Sequence, residues 1–425
     1  MNKQTDSNSG ATVSRRSFLK TASAATAASA VATNFPFVLT SHAAPDDPIR
    51  MGLIGCGGRG TGAVGNAIAS SPNVKVAAVA DIFEDQAAQA AKNFNVDPDH
   101  TFSGFDAYQK LLAVPDVNYV ILATPPGFRP IHFEAAVNAG KHIFCEKPVA
   151  VDAPGIRRFI AAGEKAKEKQ LCVVAGTQRR HQGVYKDTIK KIQDGAIGDV
   201  LCLRAYWNQG AIWHRGDNWD NEMARQIHNW YHYVWLCGDH IVEQHVHNLD
   251  VANWVMNDHP IRAYAQGGRQ ALGSKSGHIY DHFAVEYEYA NGVRLFSQCR
   301  QIDDTDGNVS EAVVGTKGKC NHLSDGDIHT ESGLVRYDGE KNDPYVVEHA
   351  DLIAAVRGSA PYVNEATRVA HSVMTAIIGR ESAYTGEVIN WDDAMNWQTS
   401  TLPETLAWGP APAVEVAIPG KHKMT

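Results

Sequence analysis

The first half of the chain alternates short apolar runs with stretches of helical periodicity. Its apolar runs cover residues 49–54, 74–80, 117–123, 142–145 and 171–175, and its helical stretches cover residues 60–70, 84–94 and 130–139. Near-continuous apolar strands separated by helices are typical of a parallel sheet that is covered on both faces. We therefore predict an α/β domain over residues 47–177, built on a doubly wound parallel sheet.

After Gly198 the pattern changes to longer runs in which apolar and polar residues alternate. These runs cover residues 199–207, 261–266, 283–289 and 293–298, and alternation of this kind predicts strands with one buried face. Asn291 and Gly292 between the last two runs predict a tight hairpin. We therefore predict an α+β domain with a large, mainly antiparallel open sheet over residues 178–345. Helical periodicity returns at 349–385, which predicts a helical return segment and tail over residues 346–425.

The first 43 residues have the pattern of a twin-arginine export signal. The order Arg-Arg-Ser-Phe-Leu-Lys at residues 15–20 precedes an apolar stretch at 21–40 and small residues at 41–43. A membrane anchor is the alternative, but the many Ala, Ser and Thr residues make this stretch weakly apolar. We predict cleavage after the signal, a periplasmic or otherwise exported protein, and no membrane contact after cleavage.

The charge balance narrows the possible partners. The 425 residues carry a formal charge of −8, and the chain without residues 1–43 carries −11. An acidic protein is poorly suited to nucleic acid or to an anionic membrane surface, so neither is expected as a partner. The seven cysteines are scattered and odd in number, which argues against a disulfide scaffold and a metal site.

A glycine-rich turn follows the first predicted strand directly. The pattern Gly-x-Gly-x-x-Gly between a strand and a helix is the dinucleotide-binding fingerprint of a Rossmann domain. Its first glycine permits the tight turn, the second lets the backbone approach a pyrophosphate, and the third allows close helix packing. The residues expected to contact the cofactor here are Gly55, Gly57, Gly58, Arg59 and Gly60.

Three further positions lie at the ends of predicted strands. Asp81 ends the second strand, where a carboxylate accepts hydrogen bonds from the ribose hydroxyls and favours NAD over NADP; capping of the next helix is the alternative. Thr124 and Pro125 follow the strand at 117–123, and Glu146 and Lys147 follow the strand at 142–145. Since ligands bind beyond the carboxyl ends of the strands, both loops are predicted to line the cofactor cleft. An exposed Glu146–Lys147 ion pair is the alternative.

These motifs together resemble the Gfo/Idh/MocA family of glucose-fructose oxidoreductase and inositol dehydrogenase. The matching residues are the glycine turn, the Ala-Thr-Pro loop at 123–125, the Glu-Lys-Pro loop at 146–148 and the run at 243–250. The resemblance implies that Lys147 lies near the nicotinamide and that His247 exchanges the substrate's hydroxyl proton. The family pattern has an aspartate four residues before this histidine, where this chain has Glu243. The resemblance also implies a homo-oligomer that pairs through the open sheet face.

The chemistry of these side chains agrees with the implied roles. Oxidation of an alcohol needs a base with a pKa near the working pH and a cation near the oxygen, which His247 and Lys147 supply. On one helix, positions 243, 247 and 250 share a face, so Glu243 is predicted to enter the same cleft and Asp250 to orient the ring. Histidines 240, 245 and 247 lack the spacing of metal ligands, and no metal is expected.

The substrate is expected to meet aromatic and basic side chains. The segment from Tyr206 to Trp235 is rich in aromatic residues, and Tyr206 and Trp213 are candidates to pack on a sugar ring; a core or a subunit interface is the alternative. Arg179 and Arg180 are candidates to hold a carboxylate or hydroxyls, with a structural ion pair as the alternative.

The sequence predicts an exported oxidoreductase that moves hydride between NAD and a secondary alcohol of a sugar or polyol. NADP is the less favoured cofactor. Because no free nicotinamide pool exists outside the cytoplasm, the cofactor is expected not to dissociate. Two alternatives remain: an NAD-dependent glycoside hydrolase that oxidises, eliminates, adds water and reduces again, and a non-catalytic sugar sensor, which retention of Lys147 and His247 disfavours.

Overall fold

The computed structural model describes residues 48–273 and 277–424. The predicted export signal at residues 1–43 lies outside the described residues. Within the part of the chain that the structure describes, no helix is both long and apolar enough to cross a bilayer.

The first half of the described chain forms a regular alternation of strands and helices. In order, these elements are β1 (Ile49–Ile54), α1 (Gly58–Ser70), β2 (Val74–Asp81), α2 (Glu84–Phe94), β3 (Thr101–Ser103), α3 (Ala107–Leu112), β4 (Tyr119–Leu122), α4 (Arg129–Asn138), β5 (His142–Cys145), α5 (Ala153–Glu168) and β6 (Val173–Ala175). Short 3-10 helices cover Pro98–His100, Pro126–Phe128 and Gln178–His181.

The second half contains longer strands and a group of short helices. Its elements are α6 (Gly183–Gln193), β7 (Val200–Gln209), α7 (Glu222–His228), α8 (Val234–Cys237), α9 (His240–Glu243), α10 (Val246–Met256), β8 (Pro260–Gly268), β9 (His282–Tyr289), β10 (Arg294–Gln301), β11 (Asn308–Gly315), β12 (Gly318–Cys320), β13 (Ile328–Thr330), β14 (Gly333–Val335), α11 (Pro344–Val356), α12 (Ala366–Thr385), β15 (Ile389–Asn390) and α13 (Trp391–Met395). Two more 3-10 helices cover Trp230–His232 and Leu323–Asp325.

The six strands of the first sheet lie in the order β3-β2-β1-β4-β5-β6, and every neighbouring pair is parallel. Alternate residues of β4 enter different cores: Val120 and Leu122 pack with α4 and α5, whereas Tyr119 and Ile121 pack with α1 and α11. The sheet is therefore buried on both faces, which explains its continuous apolar runs. The predicted doubly wound parallel sheet is confirmed.

The second sheet has nine strands in the order β14-β13-β12-β11-β7-β10-β9-β8-β15. Only β7 and β10 run parallel, and the other neighbours are antiparallel. Gly292 has a φ of +84° in the turn between β9 and β10, so the predicted hairpin is confirmed. The predicted large, mainly antiparallel sheet is confirmed as well.

The return segment, which has helical periodicity over residues 349–385, is helical in the structure. It forms two helices, α11 and α12, separated by a turn at Gly358, whose φ is +70°. The connection then runs beside β6, where the Val173 N–H donates to the Val363 carbonyl at 2.9 Å. Helix α11 packs on α1, and α12 packs on β8, α5 and α10. The return segment thereby contacts elements of both sheets.

Candidate active site

The turn after β1 has the geometry that the glycine spacing requires. Gly55 has a φ of +99°, a backbone conformation that favours glycine. A Cβ on Gly60 would lie 2.0 Å from the Gly55 carbonyl oxygen, so a side chain there would push the helix off the turn. A Cβ on Gly57 or Gly58 would meet nothing within 4 Å. Gly57 and Gly58 therefore leave open space in front of the helix.

Helix α1 begins at this open space without a side-chain cap at Gly57. The first amide N–H groups of such a helix lack an intrahelical acceptor and favour an anion such as a phosphate. The cleft in front of them has a volume of about 640 Å³, within the range of cofactor sites. Its lining includes Gly55, Gly57, Gly58, Arg59, Gly60, Asp81, Thr124 and Pro125. These residues fit a dinucleotide.

Asp81 is held rigidly at the end of β2. Its carboxylate accepts hydrogen bonds from the N–H groups of Cys56 at 2.7 Å and Phe83 at 3.0 Å. Burial raises the pKa of this carboxyl above its usual value. Helix α2 begins at Glu84 with Phe83 as its N-cap residue, so the helix-cap alternative for Asp81 is wrong. The carboxylate instead faces the cleft.

The loop after β4 forms the neighbouring wall. The Thr124 hydroxyl lies 3.1 Å from Nδ1 of His132, and its carbonyl accepts a hydrogen bond from Arg129. Burial, assisted by the Arg129 charge, lowers the pKa of His132 to about 3. The cleft wall at Thr124 is thus fixed by a neutral imidazole and a buried guanidinium.

Glu146 and Lys147 do not form the exposed ion pair that was the alternative for them. Glu146 is buried and accepts a charged hydrogen bond from Arg59, whose guanidinium also lies 3.4 Å from Glu348. Lys147 points to a different partner. Its ammonium donates to the Glu243 carbonyl at 2.6 Å and to Glu243 Oε1 at 2.9 Å. Only about a tenth of either side chain, 10% and 9%, is exposed.

His247 lies in the same neighbourhood, 8% exposed. Its ring stacks beside the indole of Trp207, with centroids 5.8 Å apart and planes 23° from parallel. Burial first, and then the positive charges of Lys147 and Arg179, lower the pKa of His247 well below 6.5. The imidazole is consequently neutral at ordinary pH and can accept a proton.

The helix that carries Glu243 and His247 is interrupted between them. Glu243 ends α9 and His247 lies in the first turn of α10, with Gln244 and His245 between the two helices. Asp250 does not orient the histidine ring as predicted. Its carboxylate accepts bonds from Arg180, Arg368 and Ser372, the last at 2.7 Å. Because the helix is interrupted between Glu243 and His247, the spacing of one continuous helix does not apply from 243 to 250.

The two candidate arginines have different surroundings. Arg179 forms an ion pair with Glu311, a buried carboxylate that also accepts the Tyr185 hydroxyl at 3.0 Å. Its guanidinium lies 5.7 Å from the centroid of the Trp207 ring, close to His247. Arg180 is paired with Asp250 at 2.8 Å. The contacts of Arg180 are therefore those of the structural ion pair that was its alternative.

Tyr206 is not where its substrate-binding prediction needs it. Successive residues of a strand point to opposite faces, and in β7 it is Trp207 that faces His247. Tyr206 accordingly lies on the other face of the sheet. The sequence analysis missed Trp207 as a site residue because an alternating run does not say which of its faces meets the helices.

Trp213 is brought to the dinucleotide cleft. It lines the cleft with Thr124 and Pro125 and packs edge-on against Trp230, 5.9 Å away. Other cleft residues were also missed: Phe83, Phe105, Phe128, His132, Arg215, Ile227, His228, Trp230 and Leu406. Phe83 carried a usable signal because it lies two residues after Asp81, and His228 and Trp230 did because they belong to the aromatic segment. Among residues 48–273 and 277–424, no group of His, Cys, Asp or Glu is placed to hold a metal ion.

A Rossmann sheet with an open glycine turn, beside a lysine and a neutral histidine, defines a nicotinamide-dependent oxidoreductase. Comparison with protein families agrees: residues 49–176 match the family described as "Oxidoreductase family, NAD-binding Rossmann fold", and residues 185–321 match the "GFO/IDH/MocA C-terminal domain". The chain belongs to the Gfo/Idh/MocA family. The prediction of an NAD(P)-dependent oxidoreductase acting on CH–OH groups is confirmed.

Two curated relatives cover much of the chain. Inositol 2-dehydrogenase of Ralstonia nicotianae is 30% identical over 277 residues, which are 64% of this chain and 72% of that protein. Inositol 2-dehydrogenase of Pseudomonas syringae pv. syringae is 27% identical over 329 residues, 74% of this chain and 88% of that protein.

Solved structures share the fold. Apo scyllo-inositol dehydrogenase from Lactobacillus casei is similar with a TM-score of 0.64 and 18% identity, over 82% of this chain and 99% of that chain. The WlbA dehydrogenase from Bordetella pertussis, solved with NADH and UDP-GlcNAcA, has a TM-score of 0.64 and 17% identity, over 81% of this chain and 98% of that chain.

Proposed function

We propose that the protein oxidises a secondary alcohol of a cyclitol or sugar with NAD that stays bound through the whole cycle. The observation that carries this proposal is the convergence of Lys147, Glu243 and His247. This group adjoins the dinucleotide cleft through Glu146, which accepts a hydrogen bond from the cleft residue Arg59. The inositol dehydrogenase names of the curated relatives favour a ring-shaped polyol. The flat Trp207 face next to His247 suits such a ring.

Each side chain has a distinct task in this proposal. When bound, NAD supplies the acceptor for the hydride of the carbinol carbon. The neutral imidazole of His247 takes the hydroxyl proton. The Lys147 ammonium stabilises the oxygen as it gains negative charge, and Glu243 fixes that ammonium through two hydrogen bonds.

A panel of substrates tests the function. Purified protein supplied with NAD is mixed with cyclitols, aldoses and aryl glycosides, while reduced nicotinamide absorbance and released aglycone are recorded together. Reduction by a cyclitol or sugar, lost in the Lys147→Met and His247→Gln variants, supports the proposal. Aglycone release without net reduction would show the glycoside hydrolase cycle instead. No spectral change with any compound, while NAD is bound, would identify a sensor.

The same proposal places the enzyme outside the cytoplasm, exported through the twin-arginine pathway. It rests on the Arg-Arg-Ser-Phe-Leu-Lys order at residues 15–20. The full chain is expressed in its own or a related bacterium and the periplasm is separated from the cytoplasm. Replacing Arg15 and Arg16 by lysine should keep the protein in the cytoplasm, while Lys3→Gln should not. Equal export of the lysine variant would contradict this location.

The protein is further proposed to form a homo-oligomer through the open face of the nine-stranded sheet. On this face Tyr264, Glu286, Phe296 and Arg204 are neighbours across four strands, and the two aromatic rings are 53% and 45% exposed. Light scattering should show an oligomer that Phe296→Glu converts to a monomer. Glu286→Gln is the control on the same face, since it adds no repulsive charge. A monomeric wild type would contradict the proposal.

A further inference from the structure

One wall of the dinucleotide cleft comes from outside the parallel sheet. Trp213, Arg215 and His228 line it from the segment between β7 and α8, and Leu406 lines it from the C-terminal tail. The same cleft is lined by Asp81, the last residue of β2, and by Phe83 just after it. An acidic residue at this strand end marks the adenosine ribose in a Rossmann site. The added wall thus faces the adenosine end of the cleft.

A series of stacked rings connects this wall to the parallel-sheet domain. Trp219 stacks on His228 with centroids 3.4 Å apart, and His228 stacks on Phe83 at 3.8 Å. From the tail, Trp408 packs on Phe83 at 5.7 Å and on Phe105 at 4.9 Å. Burial lowers the pKa of His228 to about 4, so its ring stacks in the neutral form. The rings span the cleft's outer edge from one domain to the other.

The wall is a built unit and not two loose segments. The Asn221 side chain, which caps α7 through Ala224 N–H at 3.0 Å, also accepts the Gly409 N–H at 3.2 Å. The Met223 N–H donates to the Gly409 carbonyl at 3.0 Å, and the Gln226 side chain donates to the Pro412 carbonyl at 3.0 Å. Helix α7 and the tail are therefore joined by three hydrogen bonds.

This unit also has an apolar core of its own. Met223, Ile227 and Phe128 belong to a cluster that is separate from the two cores of the sheets, with Leu402 and Leu406 of the tail packed against it. Because Phe128 comes from the parallel-sheet domain, the cluster joins both domains beside the cleft.

We propose that helix α7 and the tail enclose the adenosine half of NAD and retain it, so that the dinucleotide leaves only after the ring contacts to Phe83 and Phe105 separate. The inference rests on the proposed function, which needs a cofactor that stays bound. It assigns a task to Trp219 and His228, the residues of the aromatic segment that the reaction at His247 does not use. Trp219 and Trp408 do not line the cleft, so they act on closure and not by touching the nucleotide.

The test measures exchange of bound NADH. Protein loaded with NADH is mixed with excess NAD, and the loss of bound nicotinamide fluorescence gives the dissociation rate; mixing free protein with NADH gives the association rate. Trp408→Ala and Trp219→Ala should each raise the dissociation rate at least about tenfold, since the first removes two aromatic pairs and the second removes one. Both should also raise the association rate, because an opened wall admits the ligand faster.

Matched variants keep the test independent of folding. Trp408→Phe retains the ring contacts and should release NADH slowly, as the wild type does. Ile418→Ala changes an exposed residue of the same tail, 52% exposed, outside the cleft lining, and should also exchange like the wild type.

Three outcomes overturn the inference, and they differ from one another. Alanine variants that release NADH at the wild-type rate show that the wall does not retain it. Faster release with an unchanged association rate shows a lost contact and not an opened wall. A wild type that does not retain NADH overturns the proposed function together with the wall.

Discussion

His247 lies among positive charges, and its ring is almost excluded from water. Lys147 and Arg179 both disfavour an added proton, and burial acts in the same direction, so the pKa falls well below 6.5. A base with a low pKa is fully available at neutral pH. Its weaker proton affinity is offset at the oxygen by the Lys147 ammonium, which stabilises the alkoxide directly.

Removing either reacting side chain should stop turnover without affecting the cofactor. We expect Lys147→Met and His247→Gln to lower kcat by about 10²–10⁴-fold, the usual contribution of a positioned proton-transfer group. NAD titration should give an unchanged dissociation constant. Lys190→Met, at a side chain 73% exposed, is the control and should retain full activity. Activity surviving both active-site changes would refute the assignment.

The charge of Arg179 should be visible in the pH profile. Replacing it by glutamine removes a cation near His247, which favours the imidazolium and raises the pKa of the ring. The acidic limb of the kcat/KM profile should therefore move to higher pH in Arg179→Gln. Arg204→Gln, on the exposed side of β7, should leave the limb in place. A limb that moves to lower pH in Arg179→Gln would contradict this account.

At the scale of elements, the glycines of the strand–turn–helix unit around Gly57 meet two different requirements, one of the backbone and one of the ligand. Gly55 and Gly60 are required by the backbone itself, through a positive φ and a close approach. Gly57 and Gly58 have free space around them, so only a ligand would meet a side chain there. Substitutions in this unit can therefore affect folding and NAD binding separately.

Three alanine substitutions should show this separation. Gly57→Ala should fold with an unchanged melting temperature and bind NAD at least about tenfold more weakly, because its methyl group occupies the phosphate space. Gly60→Ala should lose folding stability, since its Cβ overlaps the Gly55 carbonyl. Gly65→Ala, in open space inside α1, is the control and should do neither harm. Calorimetry and NAD titration measure both properties, and normal NAD affinity in Gly57→Ala would refute the site.

Strands, helices and turns were predicted well from the sequence wherever a few neighbouring residues determine them. The apolar run of β1 and the glycines after it specify one turn within a few residues. Trp207 was missed for the opposite reason: choosing it over Tyr206 requires knowing that α10 covers that face of β7. The tail residue Leu406 reaches the cleft from an irregular segment, whose sequence has no periodicity to interpret. Contacts between distant segments, and not element types, account for these differences.

At the scale of the whole molecule, the interior contains many uncharged histidines. Burial is the first cause that lowers the pKa of His132, His245 and His349, each to about 3. In the unfolded chain these rings take up protons near pH 6.5. The stability that these three histidines contribute is thus fully present above that pH and is lost as the pH falls below it. His240, with a pKa raised to about 10, acts in the opposite direction.

We therefore expect acid to destabilise the protein well before its carboxylates protonate. Lowering the pH from 7 to about 5 should reduce the free energy of unfolding by of order 1–2 kcal/mol for each of the three buried histidines. The opposing contribution of His240 offsets part of this loss. The melting temperature should fall steeply over this interval. His349→Gln should reduce the dependence of the melting temperature on pH. A melting temperature that is flat from pH 7 to 5 would contradict the expectation.

Helix α11 supplies Leu352, Ile353 and Val356 to the core of a domain whose other elements end near residue 175. The ribosome makes the chain from its N-terminus onward, so the part of this face that α11 covers stays exposed until most of the polypeptide has been made. Completion of the nucleotide-binding domain then coincides with the end of translation.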